Sequence, residues 1–85
     1  MYEIDILRRA MKDIARLPDG YSRLVADRIN ALAHDPRPRG ARKLANEPGY
    51  RLRVGVYRIL YEVDDARRVV TIYRVKHRRE VYRGG

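Results

Sequence analysis

The feature that most constrains this chain is a run of period-two alternation through its C-terminal half, broken by two short turns. Arg51-Leu52-Arg53-Val54 alternates polar with apolar, and Tyr57-Arg58-Ile59-Leu60-Tyr61-Glu62-Val63 does so again. A third run, Val69 to Val75, is rich in β-branched and aromatic residues. Gly55-Val56, with glycine first, suits a two-residue hairpin turn, and Asp64-Asp65-Ala66-Arg67 suits a longer one. The pattern dictates an antiparallel three-stranded meander. A turn at Gly55-Val56 pairs Val54 with Tyr57, Arg53 with Arg58, Leu52 with Ile59 and Arg51 with Leu60. The apolar residues of the third run fall on both parities, so that strand is expected near the middle of the sheet.

The N-terminal half changes period. Tyr2, Ile4 and Ile6 share one parity and Glu3 and Asp5 the other, which predicts a first strand over residues 2–7. From Leu7 the apolar positions become Leu7, Ala10, Met11, Ile14 and Leu17, the spacing of an amphipathic helix that Pro18-Asp19-Gly20 ends. A second helix places Tyr21, Leu24, Val25, Ile29, Leu32 and Ala33 on one face. The two prolines of His34-Asp35-Pro36-Arg37-Pro38-Arg39-Gly40 force a loop, because neither has an N–H to give and each pushes its predecessor toward an extended conformation. Residues 41–49 match no period; Pro48-Gly49 marks a turn, and Leu44 is expected to anchor the segment to the core. The resulting fold class is α+β: an N-terminal strand, a helical hairpin, then the meander, with the helices packed on one sheet face.

Eighty-five residues form one domain, expected to span residues 1–85, with a small core and no room for a bulky cofactor. No cysteine is present, which excludes disulfide scaffolds, Cys-based zinc sites and thiol nucleophiles, and two histidines make a transition-metal site improbable. We therefore expect neither cofactor nor metal. The opening Met1-Tyr2-Glu3-Ile4-Asp5 lacks the basic start and apolar run of a signal peptide, and no window approaches a membrane span. A soluble, cytoplasmic protein with no membrane partner is the expectation.

The net charge of +9 points to a polyanionic partner. Its distribution is uneven: residues 1–50 hold 10 Lys and Arg against 7 Asp and Glu, whereas residues 51–85 hold 10 against 4. The hairpin register puts Arg51, Arg53 and Arg58 on one face. Like charges opposed across strands destabilise a sheet by up to about 1 kcal/mol, so the fold gains nothing from them unless an anion binds. Converging guanidinium forks suit phosphate. By contrast, Arg8, Arg9, Lys12 and Arg16 of the first helix read as a solvated face, His34 reads as structural, and Tyr57 and Tyr61 fall on the parity that faces the helices.

Gly49-Tyr50-Arg51-Leu52-Arg53-Val54-Gly55-Val56-Tyr57-Arg58-Ile59-Leu60-Tyr61-Glu62-Val63 and the ending His77-Arg78-Arg79-Glu80-Val81-Tyr82 resemble the RelE/ParE superfamily of bacterial and archaeal toxins. The resemblance covers nearly the whole chain, including Leu17-Pro18 between the helices and the proline-containing loop. It implies the toxin of a type II toxin–antitoxin pair and, for the RelE branch, cleavage of mRNA in the ribosomal A site without metal, by attack of a ribose 2′-OH on the adjacent phosphate. The family's two basic residues on the first hairpin strand match Arg51 and Arg53, its arginine on the second matches Arg58, and its C-terminal tyrosine matches Tyr82. A further basic residue falls at His77 or Arg78. Where well-known members carry lysines on the first hairpin strand this chain has arginines, which are poor general bases, so Arg51 and Arg53 are read as transition-state stabilisers. His77 is then the side chain suited to proton transfer at neutral pH, and Tyr82 would stack on a base or orient the phosphate.

The partners so implied are an acidic antitoxin, mRNA and rRNA in the A site, and operator DNA only through the antitoxin. Two other functions fit the same fold. A ParE-like relative would inhibit DNA gyrase, although such relatives usually lack the basic hairpin; a degenerate toxin would keep only antitoxin binding.

Overall fold

The alternation of residues 51–63 folds as its pattern dictates. The computed structural model describes residues 1–79. The chain runs β1 (Glu3–Ile6), α1 (Arg8–Ala15), α2 (Asp19–Ala31), β2 (Ala41–Lys43), β3 (Tyr50–Val54), β4 (Tyr57–Asp64) and β5 (Val69–His77). In the β3–β4 hairpin Val54 pairs with Tyr57, Arg53 with Arg58, Leu52 with Ile59 and Arg51 with Leu60, the expected register. Gly55 makes the turn possible: its φ is +61°, and a Cβ there would lie 2.8 Å from the Tyr21 ring, which edges onto Tyr57 with centroids 4.9 Å apart.

Five strands form the sheet, in the order β1-β5-β4-β3-β2. Neighbours are antiparallel except β1 and β5, where Ile4 pairs with Val70 and Ile6 with Ile72 in parallel. Both helices cover one face. Their Ala10, Val25, Ile29 and Leu32 interlock with Leu52, Val54, Ile59, Tyr61, Val70, Ile72 and Val75 of the sheet. Burying each of the larger aliphatics contributes about 1.5–3 kcal/mol, which is what holds so small a domain. The stripe on α1 is only partly used: Ala10 is buried and Ile14 and Leu17 pack at the margin, while Leu7 and Met11 stay exposed.

The segment that matched no period supplies β2, a fifth strand on the β3 edge. Ala41 pairs with Leu52 and Arg42 with Arg51. Leu44 is not the anchor expected of it. Ala41 shares the face of Leu52 and packs against the core, whereas Leu44, one residue past the strand, is half-buried and gives its N–H to the Gly49 carbonyl at 3.0 Å. The preceding loop is tied down on both sides. The Tyr61 hydroxyl donates to the Pro36 carbonyl at 2.8 Å. Arg37 donates from Nη1 and Nη2 to the two carboxylate oxygens of Asp65 at 3.2 and 2.8 Å and from Nε to the Tyr50 hydroxyl at 2.8 Å. The Tyr2 hydroxyl also donates to Asp65 at 2.6 Å, and these two donors, Arg37 first, hold that carboxyl at about 2. The pair is exposed, so it orders the loop more than it stabilises the fold.

A β-bulge explains the mixed parity of β5. Leu60 pairs with Arg74 but the next residue, Tyr61, pairs with Ile72, leaving Tyr73 as the extra residue. The one-residue slip exchanges faces, so Val70 and Ile72 before it and Val75 after it all reach the core. The strand is flanked on both sides as expected, by β1 and β4, although β1 ends opposite Ile72. Beyond that point Asp13 of α1 caps the open edge, accepting the Val75 N–H at 2.9 Å and Arg74 Nε and Nη2 at 2.8 and 3.2 Å.

Burial works to raise the Asp13 carboxyl, but the Arg74 and Val75 hydrogen bonds and the Arg74 and Lys76 charges outweigh it and hold it below the usual 3.8. A carboxyl depressed by folding stabilises at pH values above 3.8 and loses that contribution as pH falls through the lower folded value. Asp13→Asn should therefore cost about 2 kcal/mol in urea unfolding at neutral pH. The gap from wild type should close on acidification below about pH 4.

Candidate functional site

The sheet face turned away from the helices is where the unexplained charge collects. Cross-strand register sorts its residues into rows. Arg42 of β2, Arg51 of β3, Leu60 of β4 and Arg74 of β5 make one row; Arg53, Arg58 and Lys76 make the next. Two of these neighbours are directly opposed arginine pairs, Arg42 with Arg51 and Arg53 with Arg58. On the other side of the Leu60 row the face turns acidic, with Glu62 opposite Thr71 and Asp5 opposite Thr71 from the far side. The basic patch thus has an acidic border along the strands, next to the Arg42–Arg51–Leu60–Arg74 row, and opens toward β2.

Arg42, Arg51, Arg53 and Arg58, with Gly40, line a concavity of about 460 Å³. Arg58 is its floor. It is the buried charged residue of the described chain, 3% exposed, and its guanidinium donates from Nη1 to the neighbouring Tyr57 carbonyl at 3.2 Å. Among the described residues, ion pairs join Arg37 to Asp65 and Arg74 to Asp13, and none reaches the four arginines of the concavity. A desolvated guanidinium with no counterion costs the fold stability, and an anion in the concavity would offset that cost. Gly40 leaves the rim open beside Leu52. Four fixed cations repel a divalent metal and attract phosphate, which planar forks can grip through paired hydrogen bonds.

The structure brings together Arg51, Arg53 and Arg58 of the expected site and adds Arg42 and Lys76. Arg42 belongs to the segment that matched no period, and Lys76 to what reads in the sequence as a tail; β5 runs two residues beyond the expected Val75. His77 is placed elsewhere. It pairs with Tyr57 on the helix-facing side, their rings edge to face at 5.5 Å, and borders a smaller hollow with Asp13, Arg16 and Leu17. Its Nδ1 accepts the Arg79 N–H at 3.2 Å, which leaves the ring proton on Nε2 when the imidazole is neutral. Arg78 is exposed just past β5, its N–H held by the Val56 carbonyl at 2.7 Å. Tyr82 lies outside the described residues.

A helical pair packed on one face of a mixed five-stranded sheet is the fold of solved RelE toxins. The family model for the ParE toxin of type II toxin–antitoxin systems matches residues 4–82, and the chain belongs to the RelE/ParE superfamily of such toxins. Toxin RelG of Mycobacterium tuberculosis is 33% identical over 86 residues, covering 96% of this chain and 97% of that protein. Among solved structures, the RelBE2 toxin–antitoxin complex of Mycobacterium tuberculosis aligns with a TM-score of 0.80 at 30% identity, over 89% of this chain and 96% of the matched one. The intact RelBE complex of E. coli aligns at 0.78 and 25% identity, over 91% and 96%.

Proposed function

We propose that this toxin cuts mRNA on the ribosome, in the cytoplasm, and is held in check by a RelB-type antitoxin. The buried, unpaired Arg58 at the floor of an arginine-lined concavity carries the reading. In the reaction, a ribose 2′-oxygen loses its proton and attacks the adjacent phosphorus; the bond from phosphorus to the 5′-oxygen breaks, and that oxygen takes up a proton. The products are a 2′,3′-cyclic phosphate and a 5′-hydroxyl. Negative charge builds on the phosphoryl oxygens as the 2′-oxygen adds, and we assign Arg53 and Arg58, with Arg51 one row along β3, to stabilise it. Lined by cations, the site has no use for a metal ion. Arginine does not take the 2′-OH proton at neutral pH, so proton transfer falls to a group outside the concavity, for which His77, Arg78 and Tyr82 are this chain's nearest candidates in sequence.

The relatives solved as complexes with RelB antitoxins support an antitoxin partner. So does the surface: Leu7 and Met11, exposed at 42 and 57%, stand among the cations of α1 in sequence, and Leu24 of α2 is exposed at 38%. That combination suits an acidic, amphipathic segment that folds on binding. Operator DNA would be reached through the antitoxin.

The matching family model carries the ParE name, which favours a second reading, inhibition of DNA gyrase. Induction separates the two. The expected result is a block of amino-acid incorporation within minutes and mRNA cut inside codons; continued translation with accumulating DNA breaks would establish the gyrase reading instead.

A further inference from the structure

The cation rows of the concavity are offset along the strands by two residues. Arg51 and Arg53 are successive same-face residues of β3, so the rows stand about 6.7 Å apart. That is comparable to the separation of neighbouring phosphates along an extended RNA strand. Each row is completed by a directly opposed arginine, Arg58 from β4 for one and Arg42 from β2 for the other. One phosphate needs one such pair. Opposed like charges weaken strand pairing wherever they occur, and β2 is a three-residue strand that bears this cost beside Arg51. The acidic row through Glu62, Thr71 and Asp5 lies next beyond the Arg42–Arg51 row along the strands, on β4, β5 and β1, so a backbone that reaches that row is turned toward β2.

We propose that the Arg42–Arg51 pair is a second phosphate subsite, which holds the phosphodiester next to the one held by Arg53 and Arg58. The proposal rests on the reading of this face as an RNA site and names what it takes: two consecutive backbone phosphates of a single strand, bridging the concavity from its floor toward β2. Arg42 is then a substrate-binding residue that sets the register of the strand over Arg58.

The test uses the purified full chain and two uncleavable 2′-O-methyl probes, a dinucleotide with one phosphodiester and a trinucleotide with two, followed by calorimetry or NMR titration. The trinucleotide should bind about tenfold more tightly, because its second phosphate engages a further pair of guanidinium forks. Arg42→Gln should erase that advantage while leaving dinucleotide affinity within about twofold, and should flatten the dependence of log affinity on log salt by about 0.7 for the trinucleotide alone. Arg9→Gln, which removes the same charge from α1, should change neither preference. Arg42 is exposed and opposed to Arg51, so the variant is expected to fold and to melt at or slightly above the wild-type temperature. Equal affinity for the two probes, undetectable binding of both, or an Arg42→Gln effect matched by Arg9→Gln would overturn the proposal. Its failure is separable from that of the nuclease reading: this binding pattern without mRNA cleavage would refute only the nuclease, and cleavage without this pattern would refute only the second subsite.

Discussion

Replacing Arg58 with methionine should inactivate the toxin and make it more stable. Arg58 is 3% exposed and its guanidinium donates to one backbone carbonyl, so in the free protein it is a largely buried charge without a counterion among the described residues. Substituting buried charges by apolar groups of similar length is often neutral or stabilising, and here the gain should be about 1 kcal/mol in urea unfolding. In the proposed reaction the same group faces the phosphoryl oxygens, and removing one fixed donor of that kind should lower the rate by about 10²–10³-fold. A residue kept for packing would show the opposite signs, with activity falling only as far as stability does.

Tyr61 carries the largest expected effect on folding. Its ring is fully buried between the sheet and the loop, stacked on Tyr50 with centroids 5.7 Å apart. Its hydroxyl closes on the Pro36 carbonyl at 2.8 Å. Tyr61→Ala should cost about 4 kcal/mol, a large share of the stability of a domain this size. Tyr61→Phe should cost about 1 kcal/mol, because it strands one carbonyl. Burial foremost raises the Tyr61 hydroxyl from 10.0 to about 12, so its contribution is complete below pH 10 and is lost as pH rises toward 12. The phenylalanine variant should lack that alkaline loss. Because the same hydroxyl pins the loop that leads into β2, both variants should also loosen Arg42, seen as faster amide exchange over residues 41–43.

The hairpin is legible from residues 51–60 once Gly55-Val56 is taken as the turn; the period alone groups Arg51 with Arg53, and the turn, found where the glycine-first pair suggests it, brings Arg58 beside them. The helices are legible from their spacing, although α2 starts at Asp19, with Pro18 as its cap, two residues before the first apolar position. Other parts are not legible, for physical reasons. A three-residue strand such as β2 is too short to show a period, and what fixes it is pairing with β3, a non-local contact; Arg42 is lost with it. The bulge at Tyr73 is hidden as well. It turns Val75 inward and, by the same slip, carries Lys76 to the arginine face and His77 to the other. Apolar residues on two parities resemble a strand covered on both faces, when they are one face read across a change of phase. Arg58's burial and lack of a counterion depend on side-chain packing that no alternation pattern encodes.

The most direct measurement is the chemistry of the ends left on an mRNA incubated with programmed ribosomes and the purified toxin. The expected result is ribosome-dependent cuts that leave a 2′,3′-cyclic phosphate and a 5′-hydroxyl, with Arg58→Met slower by about 10²-fold or more. Intact mRNA, or cuts ending in a 5′-phosphate and a 3′-hydroxyl, would contradict it.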